Sequence, residues 1–135
     1  MNTLICMVGF PRSGKSSWAK EQGLPIVSPD SLRKVLYGQR FWQPGEKMVW
    51  TVAHYMVRAL FDAGTETIIL DATNLSRNER DQWKSSQWET KFKHISTSEE
   101  VCKQRAIETD MADLIPVIER MAMYFESLEE DEGLL

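Results

Sequence analysis

Gly9-Phe10-Pro11-Arg12-Ser13-Gly14-Lys15-Ser16 is the stretch on which the fold turns. It reads as glycine, four residues, then Gly-Lys-Ser, the Walker A spacing. Gly9 and Gly14 permit backbone angles that turn successive N–H groups inward, which makes an anion nest at a helix N-terminus. Lys15 can reach the β- and γ-phosphates of a nucleotide, and the Ser16 hydroxyl suits Mg²⁺. Pro11, Arg12, Ser13 and Ser17 complete the expected nucleotide-binding loop. ATP and Mg²⁺ are the implied ligands.

The flanks agree with this reading. Leu4-Ile5-Cys6-Met7-Val8 is a short continuous apolar run, as expected of a buried parallel strand, and a helix is predicted from about Lys15. Leu24 to Ser28 reads as a second strand, with a helix from Ser31 through Leu36. Gly38 to Gly45 is a loop carrying Phe41 and Trp42. From Glu46 to Ala63 the period is helical, with Met48, Val52, Met56 and Leu60 in one row and Val49, Ala53, Val57 and Phe61 beside it. Gly64 stops it. Thr67 to Leu70 reads as a strand, and Ser76 to Gln87 as a helix opened by a Ser76/Glu79 capping box. Thr90 to Ser96 is a strand, Ser98 to Thr109 a helix, and Ile115 to Leu128 the last helix. Strands alternating with helices predict an α/β chain: a P-loop NTPase fold with a parallel sheet of about four strands and helices on both faces, in one domain over residues 1–135.

Acceptor and metal residues follow from the rim rule, since ligands of parallel sheets collect at the carboxyl ends of the strands. Asp30 follows the second strand and can take the proton of an attacking hydroxyl; it can equally cap the helix that starts beside it. Arg33, one helical turn on, can hold an anionic acceptor group. Thr67-Ile68-Ile69-Leu70-Asp71 has the Walker B pattern, with Asp71 the metal-supporting carboxylate. Thr73 and Asn74 follow on the loop as candidate substrate-positioning residues. Arg105 and Lys103 can fold over the nucleotide as a lid, or lie on a solvated face beside Glu99 and Glu100. Phe41 and Trp42 can stack a base or anchor their loop. His54 and His94 lack ligand spacing and read as structural, and the acidic run Glu126 to Glu132 reads as solvated surface.

Bulk properties narrow the setting. The net charge of −4 argues against avid grip on long nucleic acid, though it permits a short acceptor end entering a basic pocket. No apolar run approaches the ~20 residues of a membrane span. Two cysteines make no disulfide framework, and no leader precedes the first strand, so the chain reads as cytoplasmic with no membrane partner.

Taken together, Gly9 to Ser17, Val27-Ser28-Pro29-Asp30-Ser31-Leu32-Arg33, and Asp71-Ala72-Thr73-Asn74-Leu75 through Arg80 resemble the kinase domain of polynucleotide 5′-hydroxyl kinases and related small P-loop kinases. The likeness extends to Cys102-Lys103-Gln104-Arg105, Ile115-Pro116-Val117, Phe125-Glu126 and Glu132-Gly133. It implies that Lys15 and Ser16 serve the phosphates and Mg²⁺, and that Asp30 is general base. It further implies that Arg33 contacts the acceptor's phosphate, Asp71 supports the metal, Arg105 is a lid arginine and Arg80 belongs to the substrate side. The implied partner is a nucleic-acid 5′ end or a small-molecule acceptor. One departure stands out: Ala106-Ile107-Glu108-Thr109-Asp110 offers no second lid arginine, so Lys103 or Arg12 would have to assist.

Overall fold

β1 (Thr3–Val8) lies inside a four-stranded sheet whose order is β2-β3-β1-β4, with every pairing parallel. The computed structural model describes residues 1–135. β2 is Ile26–Val27, β3 is Thr67–Leu70 and β4 is Glu89–His94. The helices are α1 (Lys15–Glu21), α2 (Pro29–Tyr37), α3 (Glu46–Asp62), α4 (Arg77–Asp81), α5 (Glu99–Glu108) and α6 (Ile115–Tyr124). The α/β fold with a parallel four-stranded sheet is as the sequence predicts.

Side-chain alternation divides β1 between two layers. Ile5 and Met7 pack with Ile69 and Ala19 under α1. Leu4, Cys6 and Val8 join Ile68, Leu70 and Phe92 in the larger core, which α3 closes with Ala53, Val57 and Phe61. Only one of the two predicted α3 rows is interior: Val49, Ala53, Val57 and Phe61 are buried, while Met48 and Met56 are exposed. Both cysteines are free and buried, and no helix is long and apolar enough to cross a membrane.

Three elements are shorter than predicted, each because a tertiary contact wins over local propensity. β2 keeps two paired residues because Pro25 has no N–H and the Ser28 side chain turns to cap α2 by accepting from Ser31 N. α4 stops at Asp81, and the chain turns to bury Trp83, whose carbonyl accepts from Trp88 Nε1 and Thr90 Oγ1. α6 stops at Tyr124: Phe125 is extended, its ring meets Phe10 edge-on at 5.9 Å, and Glu126 N donates to Leu75 O.

The acidic terminus is only partly the solvated surface expected. Glu132 is buried, and its carboxylate receives Arg80 Nε at 2.8 Å and the backbone N–H of Glu129 at 2.7 Å. Burial works to raise the Glu132 pKa, but the Arg80 and backbone hydrogen bonds outweigh it and hold the carboxyl below the usual glutamate range. Residues 133–135 then run beside β4, bridged at Phe92 and Leu134.

Candidate active site

The glycine-rich loop leaves β1 at Gly9 and enters α1 at Lys15. Its path is braced from the β3 side: Gly9 N donates to Thr73 O at 3.0 Å, and Asn74 Nδ2 donates to Met7 O at 2.9 Å. Gly9 admits no side chain, since a Cβ would stand 2.8 Å from Ser13 Oγ and 3.1 Å from Ile95 O. Arg12 and Gly14 are both left-handed, at φ 67° and 101°, which turns the loop's amides inward ahead of α1. The result is a hollow of about 190 Å³ lined by Arg12, Ser13, Gly14, Lys15, Ser16, Ser17 and Arg105. Pro11 is partly buried and does not line the hollow.

Lys15 is buried at the floor and donates to Phe10 O at 3.2 Å. Burial lowers its pKa, while the charges of Asp71 and Asp30 pull it back up, so both carboxylates lie within its field. Ser16 Oγ donates to Asp71 Oδ2 at 2.6 Å. The other carboxylate oxygen, Asp71 Oδ1, and the buried Ser13 Oγ have no hydrogen-bond partner. Buried polar atoms left unpaired call for a ligand. Those two orphans, beside a cluster of N–H groups, suit a divalent cation at Ser16 and Asp71 with phosphate at the loop. No cluster of three or more His, Cys, Asp or Glu offers an all-protein metal cage.

On the acceptor side, Ser28 caps α2, so the capping duty open to Asp30 is already filled. Asp30 is exposed at the first turn, and its Oδ1 accepts from Arg33 Nη1 at 2.7 Å. Arg33 is gripped from behind by Glu46, which accepts from Nε at 2.9 Å and from Nη2 at 2.7 Å. Three of the guanidinium's five N–H groups are thus committed, and the other two make no hydrogen bond within the protein. Glu46 has no sequence signal as a site residue, because its partner lies 13 positions away across a loop.

Arg105 reaches the loop from α5, with Nη1 donating to Arg12 O and Ser13 O at 3.2 Å each. Lys103 does not join it, being paired with Glu99, Glu100 and Glu119. Arg12 is exposed and lines the hollow, so it is the available second cation. Two expected substrate residues lie elsewhere. Arg80 is 0% exposed and donates to Asn74 O, Leu75 O and Glu132; Asn74 is buried against β1. Both hold the loop after β3 in place, and neither side chain is free for a substrate. Thr73 is partly buried at the rim. His54 stacks on Trp83 at 3.8 Å and His94 lies 5.5 Å from the Phe125 ring, and partial burial lowers the pKa of both.

Residues 4–125 match the family described as AAA domain. The chain belongs to that family. No curated protein matches it. Two structures of the Pnkp1/Rnl/Hen1 complex, an RNA repair complex, match this AAA domain with a TM-score of 0.70 each. One does so at 20% identity over 93% of this chain and 46% of that one, the other at 25% over 77% and 38%. This AAA domain therefore spans less than half the length of those chains. A gluconokinase from Sinorhizobium meliloti 1021 matches at 19% identity over 99% of this chain and 79% of its own, TM-score 0.61. The Mycobacterium tuberculosis APS kinase CysC, in complex with AMPPNP and APS, matches at 15% over 99% and 87%, TM-score 0.68. The fold of this AAA domain is that of the P-loop kinases.

Proposed function

We propose that this AAA domain is an ATP-dependent kinase that moves the γ-phosphate of ATP onto a hydroxyl, the 5′-hydroxyl of a nucleic-acid end. The observation that carries the proposal is Asp30. It is an exposed carboxylate at the sheet's carboxyl rim, in the field of Lys15, held by Arg33 and relieved of capping by Ser28.

The roles follow from the chemistry of phosphoryl transfer, which is mostly positioning and charge stabilisation. The amides from Gly14 to Ser17, at the start of α1, seat the phosphates, and Lys15 meets the charge on the β- and γ-groups. Ser16 and Asp71 would hold Mg²⁺, which would neutralise charge on the phosphate oxygens. Asp30 accepts the proton as the acceptor oxygen bonds to the γ-phosphorus and the bond to the bridging oxygen breaks, releasing ADP. Arg105, with Arg12 beside it, faces the charge that spreads over the transferring group. Arg33 offers its open N–H groups to the phosphate next to the acceptor hydroxyl.

The nucleic-acid acceptor rests on the resemblance of the Val27–Arg33 and Asp71–Arg80 strings to polynucleotide kinases. The test is transfer of label from γ-labelled ATP to a 5′-hydroxyl oligonucleotide, which wild type performs and Asp30→Ala does not. Absence of transfer by wild type removes this acceptor. One observation favours a second reading. Arg33 shares its charge with Glu46 and Asp30, which suits a small hydroxyl acceptor without phosphate; for such a substrate Arg33→Ala would be nearly silent.

A further inference from the structure

Charge along this chain is unevenly placed. From the start of α2 to the end of α3, residues 29–62 carry five cations, Arg33, Lys34, Arg40, Lys47 and Arg58, against three carboxylates, Asp30, Glu46 and Asp62. That is +2 in a chain of net −4, leaving −6 on the remainder. Glu46 is spent on Arg33, and the turn between α2 and α3 itself presents the exposed cations Arg40 and Lys47.

That turn is also a compact aromatic knuckle. Tyr37 and Trp42 pack at 4.9 Å between ring centres, and Gly45 lies beneath them where any Cβ would strike both rings. Phe41 and Trp42 remain 57% and 43% exposed, flanked by exposed Arg40 and Lys47. Directly after the knuckle, Glu46 grips Arg33, and Arg33 holds Asp30. The knuckle is thus linked to the acceptor carboxylate through Glu46 and Arg33. Arg40 is paired with Asp113, from the turn before α6, an exposed contact that an anionic ligand can displace.

We propose that the knuckle, through Arg40, Phe41, Trp42 and Lys47, is a binding track for single-stranded nucleic acid, seating the nucleotides that follow the acceptor end. Interleaved cations and aromatic faces are what a strand requires: the cations follow its phosphates, and stacking tolerates any base. The proposal rests on the nucleic-acid acceptor reading and extends it to a surface outside the phosphoryl-transfer site.

Fluorescence anisotropy with a 3′-fluorescein single-stranded oligonucleotide of mixed sequence tests it, against wild type and an Arg40→Ala/Phe41→Ala/Lys47→Ala variant. The variant should bind about tenfold or more weakly. Its salt slope should be shallower by about 1.4, from two lost phosphate contacts at ~0.7 each. Asp113→Ala, which breaks the Arg40 pair and keeps the cation, should bind at least as tightly as wild type. Equal binding by wild type and the triple variant overturns the track, as does failure of wild type to bind at low salt, the result if a protein occupies the knuckle. Binding without phosphoryl transfer leaves the track standing and removes the acceptor reading; transfer with no loss of binding in the triple variant does the reverse.

Discussion

Asp30 and Ser28 stand two residues apart, and either can cap α2; the structure gives that duty to Ser28 and leaves the carboxylate exposed. The sequence could not separate these roles, because both residue types are good caps and the choice depends on where β2 ends. Glu46 was illegible for a different reason, as its grip on Arg33 exists only once α2 and α3 pack. These assignments predict distinct kinetic signatures. Asp30→Asn should lower kcat by about 10²–10⁴-fold, the usual worth of a general base, while nucleotide affinity measured by calorimetry stays within threefold of wild type. Glu46→Gln should act less severely and in the acceptor KM, since Arg33 keeps its charge and loses its anchor. An unchanged acceptor KM in that variant would argue that Glu46 only staples α3 to α2.

Elements show where local pattern suffices and where it fails. The Walker A loop, β1 and α1 were legible because glycine spacing, an apolar run and a helix start all lie within 20 residues. α4 and α6 were overextended because their ends are set by Trp83, Phe125 and the C-terminal strap, all tertiary. That strap deserves its own test. Breaking the buried Arg80–Glu132 pair with Glu132→Ala should cost about 3–5 kcal/mol, read by urea unfolding, since Arg80 is left buried and uncompensated. The pH dependence has a definite sign. Glu132 titrates lower when folded than its ordinary value of 4.5, so its contribution is complete above that value. It is lost as pH falls from there through the lowered native value, and wild type and Glu132→Gln should converge in stability at acid pH. The phosphate loop offers a matching test. Gly14→Ala, at φ 101°, should lose about 1–2 kcal/mol and weaken MgATP binding by distorting the nest.

At the scale of the molecule, a parallel sheet brings the loop after β1, the start of α2 and the loop after β3 to one rim, and that convergence assembles Lys15, Ser16, Asp30 and Asp71 from three stretches of chain. A balance of −4 argues against nucleic acid when averaged, yet the α2–α3 segment is locally positive, a segregation that composition alone conceals. The account stands or falls with the triphosphate seat between β1 and α1. Isothermal titration of the folded protein with MgATP, beside Lys15→Ala, measures it directly. The expected result is a single saturable site in wild type that is lost or weakened at least a hundredfold in a Lys15→Ala variant that still melts cooperatively. Wild type that takes up no nucleotide, or a variant that binds it equally well, would contradict the central claim.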